Sequence, residues 1–261
     1  MGTTRHPAVA GSFYPADRQT LGAMVDAMLR EAETDLPAPK ALIVPHAGYI
    51  YSGPVAASGY ACLLNRDTPI SRVILLGPAH RVPFQGLAMS SVTDFATPLG
   101  SVPLDQTVMR ELEKLPQIHY MDAAHELEHS LEVHLPFLQR TLGTFSLVPL
   151  VVGDASAADV AGILERAWSG PDTLVIVSSD LSHYHSYETA TRMDRETSTF
   201  IEALDYQAID HNHACGRTPV AGLLLFAKQH DMHVTTLDLR NSGDTAGPKD
   251  RVVGYGTYAV N

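Results

Sequence analysis

Short runs of apolar, β-prone residues alternate with longer segments of helical spacing along most of the chain, and this alternation limits the folds open to it. Strands are predicted at residues 41–44, 73–76, 86–89, 147–152, 174–177, 233–237 and 252–260. Helices are predicted at residues 54–64, 105–115, 130–141, 155–168, 187–204 and 218–229. Several strands are apolar at every position, which is typical of strands that helices cover on both faces. The pattern predicts an α/β sandwich: one domain over residues 1–261, with helices flanking a central, largely parallel or mixed sheet.

The composition argues against nucleic acid and membrane as partners. Acidic residues outnumber basic ones by 29 to 18, and the basic residues do not cluster, so no nucleic-acid-binding face is expected. No apolar run approaches the ~20 residues that span a bilayer, and the first residues lack the apolar core of a signal peptide. The two cysteines, Cys62 and Cys215, form neither a CxxC motif nor a disulfide framework. A cytoplasmic location is therefore expected.

Histidines follow two of the predicted strands at the same point. In VPHAGYIYSG, His46 comes directly after an apolar strand and a proline, and His80 repeats this arrangement in ILLGPAH. A third apolar strand runs into SSDLSHY, which carries Asp180 and His183. Ligands of α/β sheets bind beyond the carboxyl ends of the strands, so these groups are expected to meet at one edge. Imidazole and carboxylate bind transition metals and also transfer protons, although a single histidine at a strand end is commonly a structural residue.

Cys215 lies in HACGRTP, just before a predicted helix start at Thr218 and Pro219. Backbone N–H groups at a helix N-terminus favour an anion and are expected to lower the pKa of the thiol. The thiolate would then serve as a metal ligand or a nucleophile. The alternative is a small buried core residue, which is the interpretation that Cys62 receives because it lies inside a predicted helix.

A second cluster of histidines and acids occupies the segment HELEHSLEVHLP. It is not an HExxH motif, but His125 and His129 are four residues apart, and on one helix face they would form a zinc site. Pro136 limits that helix. Alternatively, Glu128, His129 and Glu132 line the strand-end cleft and support its ligands. The sequence leaves the roles of these residues and of His134 open.

Motifs along nearly the whole chain resemble one known family. They include RHPAVAGSFYPAD, VPHAGYIYSG, ILLGPAH, EHSLEVHLPFLQ, SSDLSHY, ACGRTPV and VVGYGTYAV. In this order they are similar to the MEMO family, also called AmmeMemoRadiSam system protein B. The family is similar in fold to the class III non-haem iron extradiol dioxygenases, the LigB-like group. The resemblance therefore implies a sandwich of helices around a central sheet.

The resemblance also implies a ligand set. Its metal-site positions fall on His46, His80 and Cys215, with Asp180 and His183 beside them and His183 at the position of an acid/base histidine. A thiolate would stand where the dioxygenases have a carboxylate. Because thiolate is the softer ligand, the site is expected to hold Fe(II) or copper, and to accept zinc. The chain departs from the family pattern at His134, where glutamine is common.

Three functions follow as hypotheses. The first is a metal-dependent redox enzyme acting on a small organic molecule or on O₂. The second is a non-catalytic module that binds a peptide or protein in the same cleft, helped by exposed aromatics at Tyr49, Tyr51 and Tyr184. The third is a metal-free hydrolase or thiol enzyme that uses Cys215 and His183. The resemblance adds a link to radical SAM and AMMECR1-type proteins in microbes, and to cell motility signalling in animals.

Overall fold

The computed structural model describes residues 3–261, and its largest element is a sheet of nine strands. In chain order, strands β1 to β12 span Thr4–Arg5, Ala41–Val44, Arg72–Pro78, Leu87–Met89, Asp94–Thr97, Gly100–Pro103, Ile118–Tyr120, Ser146–Val152, Thr173–Ser178, His183–His185, Val234–Asn241 and Val252–Val260. Helices α1 to α8 span Arg18–Glu31, Tyr49–Cys62, Gln106–Leu112, Asp122–Glu126, Leu135–Leu142, Ala157–Ala167, Tyr187–Glu202 and Arg217–Gln229. The large sheet runs in the order β10, β12, β2, β9, β3, β8, β4 and β7, and β11 pairs with β12 outside this order.

The centre of the sheet is parallel and its flanks are mixed. Strands β2, β9, β3 and β8 pair in parallel, whereas β12 joins β2 and β4 joins β8 in antiparallel register. The apolar runs that predicted the central strands are buried along their length, as is expected when both faces of a sheet are covered. The α/β class and the mixed sheet predicted from the sequence are thus confirmed.

Helices cover both faces of the sheet. On β12, the Thr257 hydroxyl donates a hydrogen bond to the carbonyl of Val55 in α2, while the next residue, Tyr258, meets Ser198 of α7. Because successive strand residues face opposite ways, α2 and α7 lie on opposite faces. Helices α1 and α5 pack with α2, and α6 packs with α8. Among residues 3–261, none of the helices combines the length and the apolar character that crossing a membrane requires.

Several elements were not predicted. Helix α1 buries only Leu21, Val25 and Leu29, a stripe too narrow to stand out from its polar surroundings. Strands β1, β5 and β6 form a separate three-stranded sheet of very short strands. Two predicted helix starts are also wrong. Helix α2 begins before the turn-like residues at 52–54 and includes Pro54, and α5 begins only after a 3₁₀ turn over Glu132–His134.

Glu132 anchors the N-terminal segment to the loop before α5. This fully buried carboxylate accepts hydrogen bonds from the backbone N–H groups of Ala8 and Val9, from the Tyr14 hydroxyl and from Arg5, whose nitrogen lies 2.5 Å away. Arg5 also donates to the carbonyls of His125 and Glu128. The expectation that Glu132 lines the cleft is therefore wrong, because all its acceptor capacity is used within the core.

Removing this carboxylate should be costly. We expect Glu132→Ala to lower the free energy of unfolding by about 3–5 kcal/mol, because Arg5 would be left buried without its charge partner. Chemical denaturation followed by circular dichroism measures the change. Glu126→Ala is the matched control, since Glu126 is exposed and its removal should change stability by less than about 0.5 kcal/mol. Equal stability of the two variants would contradict the anchoring role.

Candidate metal site

Three chain segments bring a metal-ligand set together at the carboxyl edge of the sheet. His46 follows β2, His80 follows β3, and Cys215 precedes α8; one donor atom from each lies within 4.8 Å of the others. Cys215 Sγ is 3.4 Å from His46 Nε2. The position of Cys215 depends on Gly216, where a Cβ atom would come within 2.5 Å of the Ser178 carbonyl oxygen. The predicted convergence of these residues on one edge is thus present in the structure.

His46 is buried and held at two points. Its backbone N–H donates to Asp180 Oδ1 at 2.7 Å, and its ring nitrogen Nδ1 lies 2.6 Å from Ser178 Oγ. Burial, together with the neighbouring His80 and other imidazoles, lowers the pKa of His46 well below its usual range. The ring is therefore neutral at pH 7, which is the form that binds metal ions.

Glu128 orients His80. Its carboxylate accepts the backbone N–H of His80 at 2.6 Å and the ring nitrogen Nδ1 at 2.9 Å. A carboxylate ion has no proton to donate, so Nδ1 carries the hydrogen and Nε2 is left free. Burial would raise the pKa of Glu128, but the hydrogen bonds from His80 outweigh it and lower the pKa to about 2. Carboxylate–histidine pairs of this kind commonly support metal ligands.

Cys215 and Asp180 are both shifted towards their neutral forms. Burial and the nearby Asp180 carboxyl raise the pKa of Cys215 to about 12. The expected lowering by the α8 N-terminus is therefore wrong, because desolvation outweighs the hydrogen bonds from the backbone N–H groups of Asp180 and Gly216, which lower the pKa of the thiol. Burial also raises the pKa of Asp180 to about 6.

The cavity above the site has a volume of about 620 Å³ and is lined by His46, His80, Asp180 and Cys215. Its walls also include aromatic, imidazole and amide side chains: Phe13, His129, His183, Tyr184, His185, His211 and Asn212. His183 Nδ1 lies 2.8 Å from the carbonyl oxygen of Leu181 and must donate to it, so its Nε2 is the nitrogen free for other partners. Asp180 and His183 therefore both border the cavity, as predicted.

His129 lies in the cavity, in line with the alternative that placed it in the strand-end cleft. Its ring stacks on His80 with centroids 4.7 Å apart and lies 4.8 Å from the ring of Phe13. Its Nδ1 is buried without a hydrogen-bond partner among the described residues, and burial lowers its pKa to about 4. His80, Glu128 and His129 form a second group with metal-ligand spacing, which shares His80 with the first.

The other histidines of the HELEHSLEVHLP segment do not form a separate metal site. The zinc pair of His125 and His129 is wrong, since α4 ends at Glu126 and His125 bonds the Ala88 carbonyl and packs on Phe95. His134 is buried between Tyr60 and Ser178, away from the ligand group.

The three tyrosines proposed as exposed aromatics behave differently from one another. Tyr49 is buried, and its hydroxyl donates to the Val133 carbonyl. Tyr51 is 37% exposed and Tyr184 is 65% exposed. Tyr184 also adopts a left-handed backbone conformation with φ of 61°, which is rare for a bulky residue. Only Tyr184 combines exposure with a place on the cavity wall.

A family model described as Memo-like protein matches residues 5–259. The chain belongs to the Memo family. A MEMO1 family protein of Saccharolobus islandicus strain M.14.25 is 35% identical over 277 aligned residues, which cover 96% of this chain and 97% of the relative. One from Aquifex aeolicus strain VF5 is 36% identical over 262 residues, with the same coverage. The resemblance drawn from the sequence motifs is thus confirmed.

One solved structure is also similar. An uncharacterized protein from Escherichia coli K12 aligns with a TM-score of 0.49 and 12% identity, covering 83% of this chain and 98% of that one. The likeness to LigB-like dioxygenases stays a prediction.

The donor atoms of this Memo-family protein fit a single ion. A thiolate at ~2.3 Å and an imidazole at ~2.05 Å from one tetrahedral metal lie about 3.6 Å apart. The observed separation of Cys215 Sγ and His46 Nε2 is 3.4 Å. Both histidines are held at Nδ1, and one thiol completes the set. Their spacing and chemistry are therefore compatible with a shared transition metal.

The raised pKa of Cys215 has a direct test. In metal-free protein at pH 8, a thiol with a pKa of about 12 is ionised in only about one molecule in ten thousand. We expect iodoacetamide to alkylate Cys215 slowly, at a rate that rises about tenfold per pH unit from pH 7 to 10. Mass spectrometry on a Cys62→Ala background isolates the signal. Rapid alkylation at pH 7 would contradict the burial effect and favour the thiol-enzyme hypothesis.

Proposed function

We propose that this Memo-family protein binds one transition metal ion through His46, His80 and Cys215 and uses it in a redox reaction. The observation that carries the proposal is the convergence of these three donors within 4.8 Å at the floor of a cavity. Each histidine is tied through Nδ1, by Ser178 or by Glu128, which leaves the other ring nitrogen for the ion.

The donor set narrows the choice of metal. Two imidazoles and one thiolate are intermediate to soft ligands, which suit iron and copper and also accept zinc. We propose Fe(II) or copper as the functional ion. When bound, such an ion would supply electron transfer and polarise a ligand in a coordination position that the three side chains leave open. It would also favour the thiolate form of Cys215 over the neutral thiol.

The neighbouring residues support proton transfer. Burial places the pKa of Asp180 at about 6, close enough to neutrality for the carboxyl to exchange a proton under physiological conditions. His183 has one ring nitrogen committed to a backbone carbonyl and the other free. We propose that Asp180 and His183 hold and move protons for a small organic substrate, or for O₂, in the cavity.

Metal content tests the site. We expect the protein, purified and loaded anaerobically with Fe(II) or Cu(I), to hold about one ion per chain, as measured by inductively coupled plasma mass spectrometry. Cys215→Ser and His80→Ala should each lose at least about 90% of it, because removing one of three protein ligands leaves an incomplete site. His119→Ala is the control, since His119 is exposed on β7 and should bind like wild type.

If wild type holds no ion, or if both variants bind as well as His119→Ala, the metal proposal fails. If the site stands, O₂ consumption in the presence of small reductants is the next assay.

A second function has one observation in its favour. Tyr184 stands on the cavity wall, 65% exposed, with the Arg251 guanidinium 5.2 Å from its ring centroid. An exposed aromatic beside an arginine is a common recognition element for protein partners. A binding module would therefore use the same cleft without turnover.

The two functions predict opposite mutant behaviour. If the cleft binds a protein, affinity for the radical SAM or AMMECR1-type protein of the same organism, measured by calorimetry, should survive Cys215→Ala and fall at least about tenfold in Tyr184→Ala. Loss of binding in Cys215→Ala alone, or equal affinity of both variants, would contradict this second function.

A further inference from the structure

Ser178 is the meeting point of the polar groups beneath the site. It ends β9 and is fully buried. Three groups lie within hydrogen-bond distance of its hydroxyl oxygen: His46 Nδ1 at 2.6 Å, His134 Nε2 at 2.9 Å and the Ser130 carbonyl oxygen at 2.6 Å. A serine hydroxyl has one proton to donate and two lone pairs to accept with, so three partners satisfy it completely.

The partners fix where each proton lies. The Ser130 carbonyl has no hydrogen, so the short contact to it requires the Ser178 hydroxyl to donate there. That proton is then unavailable to the two imidazoles. Both His46 Nδ1 and His134 Nε2 must therefore donate to Ser178 Oγ.

The positions of these protons also determine which ring nitrogen of His46 and of His134 carries no hydrogen. A neutral imidazole carries one N–H, so His46 Nε2 is bare, and it is the nitrogen that lies 3.4 Å from Cys215 Sγ. By the same count His134 Nδ1 is bare, and it accepts from the Tyr60 hydroxyl at 2.8 Å. Each N–H and O–H in this buried chain of Tyr60, His134, Ser178 and His46 thus has an acceptor, and no two hydrogens are directed at each other.

We propose that Ser178 is a positioning residue of the metal site, which holds His46 in the Nδ1–H tautomer so that Nε2 presents its lone pair beside Cys215. His134 and Tyr60 support it by occupying the second lone pair of Ser178 from the opposite side. The inference rests on the proposed metal binding for its purpose, but the proton arrangement belongs to the metal-free protein.

Asp180 does not fulfil this role. Its Oδ1 accepts the backbone N–H of His46, which fixes the main chain but not the ring, and its Oδ2 is 4.0 Å from Nε2. Without the Ser178 hydroxyl, a buried Nδ1–H would lose its only hydrogen-bond acceptor within residues 3–261. The ring would then be free to exchange its proton between nitrogens or to turn.

The first readout is the tautomer of His46. In metal-free, ¹⁵N-histidine-labelled protein, long-range ¹H–¹⁵N spectra distinguish the two neutral forms, and loss of signals in His46→Asn assigns the resonances. We expect the Nδ1–H form in wild type and a mixture, or the Nε2–H form, in Ser178→Ala. A wild-type His46 in the Nε2–H form overturns the inference whether or not metal binds.

The second readout is Co(II) affinity, followed by the visible absorption of the bound ion against a competing chelator. We expect Ser178→Ala to bind about 10–100-fold more weakly, the usual effect of removing a group that orients a ligand. Ser198→Ala should bind within about threefold of wild type, since that buried hydroxyl bonds Tyr258 and Asp194 rather than a site histidine.

His134 offers a matched pair of variants. In His134→Gln the amide NH₂ can donate to Ser178 while the amide oxygen accepts from Tyr60, so the direction of the chain is kept. We expect affinity within about threefold of wild type for His134→Gln and a loss of at least fivefold for His134→Leu, which can do neither. The His134 variants still test the positioning role if Ser178→Ala fails to fold.

Two results would overturn the positioning role. One is Ser178→Ala that keeps both the Nδ1–H tautomer and wild-type Co(II) affinity; the other is equal weakening in His134→Gln and His134→Leu. A different result would separate the two proposals. If wild type binds none of Co(II), Fe(II) and Cu(I), the metal function fails. If the same wild-type protein shows the Nδ1–H tautomer and Ser178→Ala loses it, the hydrogen-bond assignment is still confirmed.

Discussion

The ion pair of Arg5 and Glu132 is the interaction on which the site depends. It lies in the core, where a lone charge is costly, and each side-chain nitrogen of Arg5 and both carboxylate oxygens of Glu132 make hydrogen bonds there. Through the carbonyls of His125 and Glu128, Arg5 fixes the loop that supplies the carboxylate for His80. The N-terminal segment, which includes the cavity residue Phe13, is thereby part of the site's support.

The second constraint on the site is the protonation state of its buried side chains. Burial makes His46, His129 and His134 poor bases, with pKa values lowered to about 4 for His129 and about 3 for His134, and it keeps the Cys215 thiol protonated. Near pH 7 the metal-free site therefore carries negative charge on two carboxylates, Glu128 beside His80 and Asp180, whose pKa of about 6 leaves it mostly ionised. Neutral ring nitrogens with free lone pairs bind a cation better than an anion. A bound cation would also favour ionisation of the Cys215 thiol, and this attraction would offset the cost of a buried thiolate.

Local sequence patterns predicted the central sheet and the strand-end residues, because buried parallel strands are apolar throughout and their ends are marked by proline and histidine. The same logic brought His46, His80, Asp180 and His183 to one edge. For Glu128 and His129 it offered the cleft only as one of two alternatives and could not pair them with His80, since the contact between Glu128 and His80 spans 48 residues and no local pattern records it. Helix α1 and the small sheet were missed because narrow apolar stripes and very short strands carry weak periodicity.

Ser178 shows why chemistry at a site is harder to predict than its location. A serine after an apolar strand is an ordinary strand end, and nothing in SSDLSHY separates it from Ser179, which instead faces the start of α8. Ser178 is the last residue of β9 and Ser179 is the first residue after it, and their side chains meet different neighbours. Ser178 meets His46 and His134, while Ser179 meets Gly216. Two adjacent serines at the end of β9 therefore lie on different sides of the donor set, one beneath the histidine ligand and the other beside the cysteine.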